Sequence, residues 1–263
     1  MVMANPCAKY IERVKELRYI DDLFFSVALE DYLPGIQLIL RIVMEDASLQ
    51  VHEVHTQQTV ANLYGRSVRF DVFASAQGKR YNCEIQRDDN GAIPLRARYN
   101  SAMIDAREVA KGTEYEDLPE NIVIFICEND VLGKGLPLYH IRCVVEEMGE
   151  RFDDKALIIY VNGKYRGDDP LGRLMHDFFC EKPEDMHYSE LAARMKSVKE
   201  NEGSVNKMCN LLEEVIDEGR NEGENKLARL MSILLRNGKT DEAALAAEDA
   251  KKRQDLYRQY GIA

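Results

Sequence analysis

Long apolar runs are missing from this chain. No segment reaches the roughly 18 consecutive apolar residues of a membrane-spanning helix, so no such span is expected. The stretch from Met1 to Pro6 lacks a basic segment followed by an apolar run, so no secretory signal is expected either. Cys-x-x-Cys is absent. The six cysteines, Cys7, Cys83, Cys127, Cys143, Cys180 and Cys209, are scattered, which suits free thiols in a reducing cytoplasm better than a disulfide framework. There is no Gly-x-Ser-x-Gly, P-loop or dinucleotide fingerprint, and Gly133-Lys134-Gly135 lacks the framing of a P-loop. A basic excess is lacking too: the formal charge of −11 argues against a general nucleic-acid binder. With 263 residues, 45% of them hydrophobic, and only seven prolines, the chain reads as globular, either one domain with a tail or two small domains.

The most informative stretch is 68–86. It reads as two short strands around a Gln77-Gly78 turn, with alternation at Phe70, Val72 and Ala74 and again at Tyr81, Cys83 and Ile85. If Gln77 and Gly78 form the loop, Ala76 faces Lys79. Counting back then sets Asp71 opposite Glu84. Two like charges facing each other across a sheet are destabilising, so a cation is expected between them, and a divalent one is the natural candidate. Gln86, two residues beyond Glu84, points to the same face. An acidic site of this kind is compatible with nucleic acid, because a bound metal supplies local positive charge. Lys79, Arg80, Arg87, Arg96 and Arg98 cluster around the stretch; they are phosphate contacts or ordinary solvated charges.

An Asp followed about a dozen residues later by Glu-x-Gln resembles the PD-(D/E)XK nuclease superfamily, and most closely its recombination-promoting nuclease/putative transposase family. The resemblance extends to Asp22-Leu-Phe-Phe25, Arg98-Tyr99, Lys111 to Tyr115, and the Glu/Gly/Arg-rich run from Glu218 to Gly223. It implies an α/β restriction-endonuclease-like mixed sheet flanked by helices, followed by a helical C-terminal region. It implies metal-dependent hydrolysis of DNA phosphodiesters, linked to recombination or mobile elements. Asp71, Glu84 and the Ile85 carbonyl would hold Mg²⁺, or Mn²⁺ in its place. Gln86 would orient the attacking water in a position where most of the superfamily has lysine. Asp22 is the candidate third carboxylate, with Asp21 beside it as competitor. Arg98 and Tyr99 would hold the scissile phosphate, or else serve as a salt-bridged arginine and a packing tyrosine. The other readings are an inactive relative acting as an interaction module through its helical tail, and a non-catalytic acidic regulator that binds basic partners.

Along the chain, residues 8–30 read as one helix that Pro34-Gly35 breaks. A second helix follows over Ile36–Glu45, then a strand over Val51–Val60. Pro94 opens a helix that runs to about Ala110 and ends at Gly112. The apolar runs Asn121–Cys127 and Leu157–Val161 read as buried central strands. His52 and His55, three apart on a strand, face opposite sides and are assigned a structural role. The nuclease-like domain is expected over 1–183 and the helical region over 184–263. In that tail Gly219 and Gly223 weaken the middle helix, Asn237-Gly238 ends a helix, and Thr240 caps the next. Its apolar stripe packs on the core or pairs with a second copy. A homodimer is the expected assembly, with DNA as substrate and the cytoplasm as compartment.

Overall fold

The computed structural model describes residues 9–62, 66–109, 112 and 114–262. Cys7, Ala8, Ala110, Lys111 and Thr113, on which parts of the sequence reading fall, lie outside the described residues. Two compact units are present, residues 1–208 and 209–263.

The first unit opens with α1 (Ile11–Lys15), α2 (Asp22–Leu29) and α3 (Leu33–Val43). The single helix expected over 8–30 is therefore two. Asp21 causes the break: its carboxylate accepts from the Arg18 amide at 2.8 Å, and Asp21 itself is extended (φ −86°, ψ 118°). A short acid that bonds its neighbours' backbone competes with the helix. Pro34 lies in the first turn of α3 instead of breaking a helix, a place where its missing N–H costs nothing.

β1 (Val51–Val60), β2 (Val68–Ala76) and β3 (Lys79–Gln86) follow as an antiparallel meander. A 3₁₀ turn at Asp89–Ala92 leads into α4 (Pro94–Glu108), which stops two residues short of the expected end. Next come β4 (Asn121–Cys127), β5 (Leu138–Ile141), the small β6 (Val144–Val145) and β7 (Glu150–Arg151), and β8 (Ala156–Asn162). The main sheet has the order β1-β2-β3-β4-β8-β5, and β3, β4 and β8 are parallel. Every residue of β4 is buried, which is why its sequence is apolar without alternation.

The sheet is covered on both faces. Val123, Phe125 and Tyr160 pack with Ala97, Met103 and Ile104 of α4. α2 and α3 lie against β1 and β2. α5 (Pro170–Phe178) and α6 (Ser189–Glu200) complete the unit. The Tyr19 hydroxyl donates to Leu191 O at 3.0 Å, and Arg194 Nε donates to Ala28 O at 2.6 Å, so α6 is pinned beside α2. A fully buried phenylalanine or leucine at such a contact contributes about 1.5–3 kcal/mol.

α7 (Glu202–Arg236) crosses from the first unit into the second and runs unbroken through Gly219 and Gly223. Each glycine costs only about 1 kcal/mol against alanine, which strong helix formers on either side offset. Gly238 ends this segment with φ +71°, a conformation glycine adopts freely. α8 (Thr240–Glu248) and α9 (Ala250–Gln259) follow. Thr240 is the first helical residue and not the cap, which is Lys239. Leu230, Leu234, Ala243, Ala246 and Ile262 form this unit's own core. Among the described residues Cys83, Cys127, Cys143 and Cys180 are free. Among the described residues no single helix is long and apolar enough to cross a membrane.

Candidate functional site

The β2–β3 turn uses Gln77 (φ 50°) and Gly78 (φ 75°), both left-handed, as a two-residue hairpin loop requires. Ala76 pairs with Lys79, and the ladder continues to Val72 and Cys83. The next step sets Asp71 against Glu84. At that point a side chain replaces a ladder bond: the Ile85 N–H donates to Asp71 Oδ2 at 3.0 Å. Glu84 lies beside Phe125 of β4, and Gln86 beside Cys127, so both point to the face that α4 covers. Asp71, Glu84 and Gln86 therefore share one face, as the register count requires.

Above them lies a cleft of about 1320 Å³ whose lining includes Asp22, Asp71, Ile85 and Gln86 from the predicted set. Arg98 and Tyr99 line it too. Glu84 sits just beneath the lining and is completely buried. The N-terminus of α2 delivers Asp22 here. Asp21 is used elsewhere, since its carboxylate is bonded to the Arg18 amide and, at 2.6 Å, to Arg87 Nη1. The Arg87 Nε in turn bonds Glu128 Oε2 at 2.8 Å, which ties α2 to the ends of β3 and β4. The competition between the two adjacent acids is thus decided by one local partner, Arg18, and one distant partner, Arg87.

Three carboxyl groups so close cannot all stay ionised cheaply. Asp71 is raised well above the usual carboxylate range, chiefly by burial, then by the Glu84 and Asp22 charges. Glu84 is raised by burial, and Arg96 opposes the shift. Asp22 is solvent-accessible, yet the protein packed around it still raises its carboxyl, against the pull of Arg69 and Arg96. Asp22 and Asp71 are close enough for a hydrogen bond between their carboxyls.

From sequence, Arg96 is either a phosphate contact or an ordinary solvated charge. Its main partner is Glu84 instead: Nη2 donates to Oε2 at 2.8 Å. Arg96 also donates to Gly91 O at 3.1 Å. The other Glu84 oxygen, Oε1, is buried with no hydrogen-bond partner, and so is the Asn100 side-chain nitrogen. Arg96 and Asn100, a pair the sequence analysis did not single out, are four apart on α4 and share a face. Gly91 was missed as well. A Cβ there would lie 1.8 Å from Gln86 Oε1, so the glycine makes room for the carboxamide.

Tyr99 does not point a free hydroxyl into the cleft. Its OH donates to Arg66 O and accepts from Asn62 Nδ2 at 2.9 Å, holding the segment between β1 and β2. Arg66, Arg69 and Arg98 are exposed along the rim. His55 bonds Glu53 at 2.8 Å, a structural contact as expected.

The donor set fits a hard divalent cation. It comprises carboxylate and amide oxygens, one of them buried and unpartnered, in a place where positive charge would relieve three raised acids.

Residues 38–164 match the model of a family described as PD-(D/E)XK nuclease family transposase. The matched stretch takes in Asp71, Glu84, Gln86, Arg96 and Arg98, and Asp22 precedes it. Neither the curated proteins nor the solved structures contain a match to this chain.

Proposed function

We propose, from the match of residues 38–164 to the family described as PD-(D/E)XK nuclease family transposase, that this chain is a metal-dependent nuclease hydrolysing DNA phosphodiesters of mobile elements. One observation carries the reading: two buried acids, Asp71 and Glu84, meet on one sheet face beneath an arginine-rimmed cleft. Burying like charges together is costly unless the site is built for a cation.

Asp71 and Glu84 would hold Mg²⁺ or Mn²⁺, with the Ile85 carbonyl and Asp22 as further oxygen donors. When bound, the ion supplies Lewis-acid polarisation of the phosphate and a water of lowered pKa. Gln86 orients that water through its carboxamide, which accepts through Oε1 and donates through Nε2. Arg66, Arg69 and Arg98 attract the phosphodiester backbone, and Arg98 offers forked contacts to a phosphate. Arg96 neutralises Glu84 in the metal-free state. Tyr99 positions the cleft wall and does not contact the phosphate.

Nicking of supercoiled plasmid with and without Mg²⁺ tests the proposal. Mg²⁺-dependent nicking that disappears in Asp71→Asn is the expected result. Metal binding with no cleavage of any DNA would instead favour the inactive interaction module.

Gln86→Lys is expected to keep the fold and to retain metal-dependent cleavage. The lysine stem passes Gly91 and reaches the same water with a mobile charge. A variant that binds Mg²⁺ normally and cuts nothing would give the glutamine a role that an ammonium cannot fill.

The homodimer is likewise a proposal. Val215 and Leu235 are exposed on α7, and apolar side chains on a long helix favour a second copy as partner. Light scattering should give a dimer mass for the whole chain and a monomer mass for a chain truncated after Met208, where the first unit ends. Equal monomer masses would exclude the tail as the dimerising element.

A further inference from the structure

A second cluster of metal-ligating side chains lies outside the cleft, in the same unit, where α5 ends and the chain turns toward α6. His176, Asp177 and His187 each offer a ligand atom, and these atoms lie within 4.8 Å of one another. His176 Nδ1 is 3.2 Å from Asp177 Oδ1, and His187 Nδ1 is 3.0 Å from the same oxygen. Cys180 Sγ is 3.5 Å from His176 Nδ1. From the bond lengths of tetrahedral zinc, neighbouring N and O ligands sit about 3.3 Å apart, and N and S ligands about 3.5 Å. The two separations from Asp177 Oδ1 and the one between Cys180 and His176 are close to those values, while Cys180 Sγ lies outside the group of atoms within 4.8 Å of one another.

The hydrogen bonding points the same way. Asp177 is fully buried, and Oδ1 is approached by His176 Nδ1, His187 Nδ1 and the His187 amide at 2.8 Å. The His187 amide is shared with Oδ2 at 3.0 Å, which leaves the two imidazole nitrogens competing for Oδ1. A cation among the three side chains removes that competition, because each imidazole then presents a lone pair instead of a proton. Asp177 Oδ2 accepts from the Tyr188 amide at 2.8 Å, which fixes the carboxylate as outer-shell bonds do in metal sites. The two imidazole rings meet edge to face, 82° between planes, so their nitrogens approach from different directions. Both histidines are half exposed, which gives an ion a way in.

We infer that His176, Asp177 and His187 form a transition-metal site of the zinc class, separate from the carboxylate cleft, with the Cys180 thiol, 3.5 Å from His176 Nδ1, turning in as the fourth ligand. Two imidazoles, a carboxylate and a thiol are borderline-soft donors that prefer zinc to magnesium. The site clips the end of α5 to the entry of α6. The role is structural: Phe178 O accepts from the Ile20 amide at 3.0 Å, so the clipped turn also supports the start of α2. The inference does not rest on the nuclease reading, because it uses none of the cleft residues.

The test uses the full-length chain carrying Asp71→Asn, so that the cleft carboxylates do not compete. Chelator-treated protein is titrated with Co²⁺ and followed by visible absorption. The expected result is about one tight equivalent per chain, with the strong visible bands of a four-coordinate ion and displacement by Zn²⁺. Cys180→Ser should remove the sulfur-to-cobalt charge-transfer band. His187→Gln and the double His176→Ala, His187→Ala variant should lose the tight equivalent while circular dichroism stays unchanged. If the double variant fails to fold, His187→Gln decides, its side chain being half exposed. Weak six-coordinate bands only, or a tight equivalent that survives His187→Gln, would overturn the site.

Discussion

Asp71→Asn should raise the melting temperature of the metal-free protein while abolishing both cleavage and stabilisation by Mg²⁺. The gain follows from the sign of the linkage. The folded-state pKa of Asp71 lies well above the ordinary carboxylate range because of burial and the Glu84 and Asp22 charges. A raised carboxylate favours the folded state only while protonated. That contribution is complete below the unfolded-state pKa and is lost as pH rises through the folded one. At neutral pH the wild-type acid is therefore a liability without metal. Asparagine keeps the volume and still accepts from the Ile85 amide, which bonds Asp71 at 3.0 Å. Removing the charge should yield on the order of 1–2 kcal/mol, or roughly 2–6 °C for a chain of this size. Saturating Mg²⁺ should reverse the ranking, since an ion at a hundred times its Kd adds about 2.7 kcal/mol to wild type alone. The check is scanning calorimetry of both proteins with EDTA and with Mg²⁺. A metal-free variant that melts below wild type would mean that the Asp71 bond to Ile85 outweighs its repulsion.

The second large effect belongs to Arg96→Met. Glu84 is fully buried, and Arg96 Nη2 at 2.8 Å is the partner of Oε2, while Oε1 has none. The variant leaves a buried carboxyl with both oxygens unpaired. Breaking such a pair costs about 3–5 kcal/mol when both groups are buried, and about 2–3 is expected here because Arg96 is partly exposed. Burial already raises Glu84, and Arg96 is the charge that opposes it. Without that charge Glu84 holds its proton to higher pH. A metal must then displace a proton, so the acidic limb of the pH–rate profile should move to higher pH. Denaturant melts and Mn²⁺ titrations across pH measure both effects. A profile that stays in place while stability falls would reduce Arg96 to a packing role, consistent with its guanidinium 5.8 Å from the Phe125 ring.

Much of the site was legible because strands alternate with a period of two. Once Gln77 and Gly78 are fixed as the turn, every facing pair follows, and Asp71 must meet Glu84 with Gln86 on the same side. The apolar runs of β4 and β8 and the Pro94 start of α4 were equally local signals. These features depend on residues close in sequence, where backbone geometry leaves few choices. The tertiary structure decided the rest. Asp21 and Asp22 are indistinguishable by pattern, and Arg87, 66 residues away, joins the nearby Arg18 amide in holding Asp21 out of the cleft. Arg96 looked like one more basic residue until α4 was laid over Glu84. Gly91 matters because Gln86 packs into the space a Cβ would fill. His176 and His187 converge on Asp177 through a turn with no periodic signal. Sequence by itself determined the register, and so which acids face each other. Burial and long-range charge determined which side chains neutralise them, because those energies exist only once distant segments have met.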